Sequence, residues 1–337
     1  MSESTAVPGT GASTRIGGNK IAIVAVKILI TGACFWYLSR QIEAGSIVSG
    51  LAGMDLRWLA VATLLLMLEI PLLALRWRAI VNAIAQRGWR APAGAIIAIA
   101  SISAFFSQVL PGIAHEGIRS WLLVRLGCGW RTGITSVVVD RAVGVGVLLV
   151  LTLVILQLPL GLSALGGFRG LVFAVYGASL LAAALALAFL PSLVPLLAPY
   201  RYLRWAADLL ESVRRVLISG SAPVVLGLAL TVHALTILAI WCVGQAQGLT
   251  LSVGDAAVLF AIILGVALVP ISIGGWGVRE LALVAVLGRH GLPAEQTLLF
   301  SMCFGLAVAL AALPGGVVWL FYPARPRRTS YPRLSRA

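Results

Sequence analysis

The chain has 337 residues, of which 60% are hydrophobic and only 11% charged, with a formal net charge of +14. A water-soluble protein of this size cannot hide so much apolar surface, and no segment has the mixed composition of a sizeable soluble domain. Composition and a mean hydropathy of +1.03 therefore exclude a soluble enzyme or a nucleic-acid-binding module and make the bilayer the solvent.

Residues 1–19 are small and polar and are expected to form a disordered cytoplasmic N-terminus. The apolar run that follows, 20–38, is long for a signal-peptide core and lacks a small-residue cleavage site, so it reads as a retained first span. Further runs long enough to cross a bilayer lie at 57–76, 134–158, 168–190, 222–244 and 296–321. Two other stretches, 92–126 and 256–290, are apolar but broken by VLPGIAHEG (109–117) and VPISIGGWG (269–277), where Pro and Gly deny a continuous helix. One segment, 199–219, repeats Leu203, Ala207, Leu210, Val213 and Leu217 at helical spacing, with Arg201, Arg204, Asp208, Glu211 and Arg215 mostly elsewhere. It reads as an amphipathic helix lying on the cytoplasmic surface.

Positive residues orient the chain. The expected loop 76–91 carries Arg76, Arg78, Arg87 and Arg90, and 191–221 carries Arg201, Arg204, Arg214 and Arg215. The tail, 322–337, carries Arg325, Arg327, Arg328, Arg333 and Arg336. Placing these inside, with Arg15, Lys20, Arg125 and Arg131, leaves Arg40, Arg57, Arg169 and Arg289 outside. Parity then makes 92–126 a re-entrant hairpin from the cytoplasm and 256–290 one from the opposite face. The expected fold is an all-α polytopic membrane protein. Six transmembrane helices and two re-entrant helical hairpins form an inverted repeat of about 20–158 and 168–321, followed by the cytoplasmic tail.

Charged side chains inside hydrocarbon cost on the order of 3 kcal/mol each by insertion scales, and so mark candidate sites. Those expected at depth are Lys27, Arg119, Arg141 and Arg279, with Glu69, Glu116, Asp140 and Glu280. Pro111 and Gly112 break the first hairpin, and Glu116 and Arg119, three residues apart, share a helix face just beyond it. Pro270, Gly274, Gly275 and Gly277 break the second, followed by Arg279 and Glu280, which as neighbours about 100° apart are expected to serve different partners. A helix N-terminus at each break suits an anionic headgroup. The competing reading is structural: the pairs neutralise one another, Asp140 and Arg141 anchor a span near the interface, and Lys27 snorkels.

Cys34, Cys128, Cys242 and Cys303 show no CxxC or Cys/His spacing, and His115, His233 and His290 are isolated, so neither a metal site nor a cofactor is expected. No nucleophilic triad or phosphate loop can be assembled.

The motifs QVLPGIAHEGIRSWLL (108–123), VDRAVGVGVLL (139–149) and PISIGGWGVREL (270–281) resemble signatures of the lysylphosphatidylglycerol synthase transmembrane, flippase-like, domain family. Asp140 stands where Glu is commoner, and Ile-Ala-His where a basic or small residue is more usual. The resemblance implies a bacterial plasma-membrane protein that moves or supplies lipid, without the soluble aminoacyltransferase half. The leading expectation is a lipid transporter or flippase, not an enzyme. Arg119 and Arg279 would bind a phosphate headgroup near the midplane, Glu116 and Glu280 would position those arginines or contact a cationic group, and Asp140, Arg141 and Glu69 are further candidate contacts. An intramembrane enzyme acting on a lipid or polyprenyl carrier, and a subunit presenting lipid to a partner transferase, are the alternatives.

Overall fold

The computed structural model describes residues 52–86, 88–110, 114–157, 168–189, 192, 201–267, 277–288 and 291–322. The expected first span and the two termini lie outside these residues. So do the hairpin-tip positions Pro111, Gly112, Pro270, Gly274 and Gly275. Among the described residues the chain is wholly helical, with ten helices and no strand. In order they are α1 (Leu56–Ile84), α2 (Ala93–Val109), α3 (Ala114–Arg125), α4 (Trp130–Gln157), α5 (Phe168–Ala188), α6 (Arg201–Ile218), α7 (Ala222–Ala246), α8 (Val253–Ala267), α9 (Val278–Leu287) and α10 (Ala294–Phe321).

Helices α1, α4, α7 and α10 are long and apolar enough to cross a membrane. Their outward faces carry exposed aliphatic side chains that water would penalise and acyl chains accept. On α10 these are Met302, Leu306, Leu310, Leu313, Val317 and Leu320, spaced as one helical stripe. The described chain is a membrane-spanning helical protein. The broken stretches each form two short helices, α2 with α3 and α8 with α9, as the Pro/Gly interruptions predict.

One boundary differs in a way that matters. Helix α1 does not end at residue 76 but runs to Ile84, so Arg76 and Arg78 belong to the helix and not to a basic loop. Pro71 sits inside it without ending it. Arg78 Nε donates to Ala91 O (2.7 Å) and Asn82 Oδ1 accepts from Ala91 N–H (2.9 Å), fastening the following turn back onto the helix.

The architecture centres on α1 packed antiparallel to α7. Asp55 N–H donates to Ala246 O (2.9 Å), Trp58 meets Trp241 edge-on, and at the other end Ile80 and Val225 share a buried cluster. Small residues Ala62 and Ala239 are fully buried in the cluster between them. The amphipathic helix α6 forms as expected, and its buried Ala207 and Val216 face the protein, packed among α1, α4, α5 and α7.

Helices α2 and α10 approach closely enough that Gly315 leaves no room for a side chain: a Cβ there would strike the Ser101 carbonyl, and Gly316 abuts the Phe105 ring. A Gly315→Val variant should therefore lose about 1–3 kcal/mol or fail to fold. Gly227→Val, on a helix face with open space around it, should be near neutral. Thermal unfolding in detergent distinguishes them, and equal midpoints would contradict the α2–α10 contact.

Candidate functional site

The site begins with α3. Its first turn carries Glu116, and one turn later Arg119 lies on the same face, where its Nη1 donates to Glu116 Oε2 (3.1 Å). The expected pair is thus formed, but it is part of something larger. Arg119 Nη2 donates to Asp140 Oδ2 (3.1 Å) on α4, and Arg76 Nε on α1 donates to Asp140 Oδ1 (2.9 Å). Arg141, next on α4, donates to Glu116 Oε1 and lies 3.3 Å from His115 Nε2. The result is an alternating chain, Arg76, Asp140, Arg119, Glu116, Arg141, in which each carboxylate bridges two guanidinium groups.

Burial grades along this chain. The Arg76, Asp140, Arg119 and Glu116 side chains are nearly inaccessible, whereas the Arg141 side chain is 59% exposed. Arg119 also lies over the Trp77 ring, 4.3 Å from its centroid, and Trp77 Nε1 donates to Ser136 Oγ (3.2 Å). Stacking on an indole face suits a weakly hydrated guanidinium held out of water. Gly144, the glycine of the DR..G motif, lies beside Arg76, where a Cβ would come to 3.5 Å of its guanidinium nitrogens.

Arg76, Ser103, Ser107, His115, Arg119 and Arg141 help to line a cavity of about 170 Å³ between α1, α2, α3 and α4. The Nε of Arg119 is buried and has no hydrogen-bond partner among the described residues. Three guanidinium groups against two carboxylates leave this cluster one positive charge in excess.

The second expected pair is arranged differently. Arg279 and Glu280, expected to serve different neighbours, bind each other: Arg279 Nη2 donates to Glu280 Oε1 (2.7 Å), and the Arg279 Nε also donates to Ser301 Oγ (2.9 Å) on α10. Both side chains are long and flexible, so the 100° offset between the two Cα–Cβ bonds does not separate the charged ends. Glu280 Oε2 accepts from the Gly277 N–H (2.6 Å), which caps α9, and Gly277 adopts φ +86, a positive-φ conformation open to glycine. Neither Arg279 nor Glu280 lines the cavity.

Glu69 stands apart from both clusters. Near the middle of α1, it accepts a hydrogen bond from Thr236 Oγ1 (2.8 Å) on α7 and is partly buried. Asp140 and Arg141, equally readable as interface anchors from sequence, join the first cluster. Arg76 is the member that sequence reasoning missed, because it was assigned to a loop. Its signal was present in the helical spacing: Arg76 lies two turns from Glu69 on one face of α1, among residues that a helix continuing past Pro71 would bury. Among the described residues no group of three or more His, Cys, Asp or Glu could hold a metal ion.

Removing one member of a buried ion pair strands its partner, at a cost of about 3 kcal/mol or more. Arg76→Gln should therefore lower the unfolding midpoint in detergent well beyond Arg57→Gln, whose side chain is exposed at the start of α1. Equal midpoints would show that Asp140 does not depend on Arg76.

A comparison with curated proteins gives no significant match. A family model does match, over residues 24–325, which include α1 to α10 and both charged clusters. The chain belongs to the family described as the lysylphosphatidylglycerol synthase TM region, a family of lipid-related membrane proteins.

Proposed function

We propose that this protein is a lipid transporter that holds a phosphate-bearing headgroup in the arginine-lined cavity while the acyl chains remain in the bilayer, and that it is not an enzyme. The observation that carries this reading is the charge of the cavity cluster. Arg76, Arg119 and Arg141 face two carboxylates, Asp140 and Glu116, and a phosphodiester would neutralise the remaining charge. Arg141, paired to Glu116, is the exposed end of the chain of ion pairs and the one an arriving headgroup would reach first, while Arg119 offers an unpartnered Nε. Ser103 and Ser107 add hydroxyls to the same wall. In this reading Arg279 and Glu280 fix α9 to α10 and shape the opposite half without touching the headgroup.

The proposal includes the topology. At about 1.5 Å per residue, the 17 residues of α2 and 12 of α3 span about 25 and 18 Å, and the 15 of α8 and 10 of α9 about 22 and 15 Å, against roughly 30 Å of hydrocarbon. Pairs this short fit hairpins that enter and leave on one face. The antiparallel contact of α1 with α7 is what an inverted repeat requires of equivalent helices, and each is followed by a pair of short helices and then a long span. The arginine distribution supports a bacterial plasma-membrane protein with both termini in the cytoplasm.

Two experiments test this. Native mass spectrometry of gently purified protein should retain an anionic phospholipid, and reconstituted vesicles should move a fluorescent phosphatidylglycerol between leaflets. Arg119→Ala and Arg141→Ala should each reduce both by about tenfold or more, the loss expected for a charge-assisted hydrogen bond of 1.5–3 kcal/mol. Undiminished retention and movement in both variants would remove the headgroup site, and retention without movement in wild type would instead indicate a subunit that presents lipid to a transferase. For topology, impermeant thiol reagents should reach Pro111→Cys from the cytoplasmic side and Gly275→Cys from the other. Labelling of both from one side would end the inverted-repeat reading.

A further inference from the structure

Glu69 is an ionisable group that the headgroup site does not use. It lies near the middle of α1 and two residues before Pro71, which removes a backbone N–H and weakens the helix locally. Across from it, Thr236 belongs to α7, so the contact sits in the antiparallel joint between the two halves. Thr236 Oγ1 is within reach of two oxygens, Glu69 Oε1 at 2.8 Å and its own Val232 carbonyl at 3.1 Å.

A threonine hydroxyl has one proton. If Glu69 is ionised, that proton turns to the carboxylate and the Val232 contact lapses. If Glu69 carries a proton on Oε1, Glu69 donates to Thr236 Oγ1 and Thr236 donates to Val232 O, so both contacts are kept and no charge remains. The geometry accommodates the protonated acid more completely.

No cation among the described residues pairs with Glu69. On α1 itself Arg76 lies two turns away and is held by Asp140. Helix α7 offers His233, one turn from Thr236, whose Nε2 lies 3.2 Å from Gly144 O, and Cys242 nearer its end. Helix α2 carries no titratable side chain; α4 contributes Asp140 and Arg141, both engaged in the cavity cluster, with Arg131 paired to Asp208 of α6. Helix α10 contributes Cys303, beside Met54, and Glu295 in its first turn. The remaining ionic groups of α6 include Glu211 and Arg214, which pair with each other.

We propose that Glu69 and Thr236 form a proton-binding site in the joint between the halves, and that lipid movement is coupled to its occupancy. Uptake adds one proton to a Glu69 oxygen and release returns it; no other bond forms or breaks. With the proton bound, α1 and α7 close on a neutral, fully bonded contact. With it gone, a carboxylate with no cationic partner among the described residues disfavours that packing, and Pro71 supplies the place where α1 can yield. The coupling rests on the transport reading given above; the proton site itself does not.

The test uses full-length protein in two arms. Dicyclohexylcarbodiimide reacts with protonated carboxyls in apolar surroundings, so wild type should be modified at Glu69, read by peptide mass, with modification declining from mildly acid to alkaline pH. In reconstituted vesicles, wild-type movement of fluorescent phosphatidylglycerol should vary over the same range, and Glu69→Gln, permanently neutral, should lose that variation. Absence of modification at Glu69 at every pH overturns the site, and an unchanged pH profile in Glu69→Gln overturns the coupling. If wild type moves no lipid while Glu69 is modified, the transport reading and its coupling fail but the proton site stands.

Discussion

An isolated charge in apolar surroundings is costly, and the structure meets five charged side chains with alternation. Arg76, Asp140, Arg119, Glu116 and Arg141 are threaded so that no guanidinium lies beside another without a carboxylate between. Much else follows from this arrangement. It fastens α1, α3 and α4 together, and it explains why Trp77 lies under Arg119 and Gly144 beside Arg76. Apolar packing alone would not fix the rotation of these helices, because lipid tails are as apolar as leucine. Directed ion pairs do.

The two broken segments use the same residue types to different ends. After the first break, acid and arginine are three apart, and both reach out to a second helix with a charge of its own. After the second break they are adjacent. Glu280 caps its helix and meets Arg279 and Ser301 in a buried knot. The first arrangement borders a cavity and keeps one arginine exposed; the second is packed against α10. Glu116 bridges two guanidinium groups on different helices, whereas Glu280 divides its oxygens between its own helix N-terminus and the Arg279–Ser301 contact.

Helix α1 connects these themes. Two levels of polar residues face inward along it: Glu69 in the joint with α7, and Arg76 in the cluster with α4. Pro71 lies between them. A helix packed against both α4 and α7, carrying a charged group at one level, an acid bonded to Thr236 at the other and a proline in the middle, is suited to relate events at one level to the other.

The helices were largely legible in the sequence, because apolar run length and the Pro/Gly interruptions obey the bilayer's thickness and the backbone's need for internal hydrogen bonds. The expected runs at 134–158, 222–244 and 296–321 became α4, α7 and α10 within a few residues, and the interruption at 109–117 separates α2 from α3. The Glu116–Arg119 pair was legible too, since helix geometry alone sets a contact between positions three apart. Arg76 was misplaced because a hydropathy window ends at the first charge, whether the helix ends there or not. The mutual bond of Arg279 and Glu280 was missed because backbone directions do not constrain a flexible guanidinium. Sequence by itself determined most of the described helical segments and where the broken ones are interrupted. Only the tertiary structure decided which charges meet, because a pairing such as Arg76 with Asp140 joins residues 64 apart, and that contact depends on how helices rotate and pack against one another.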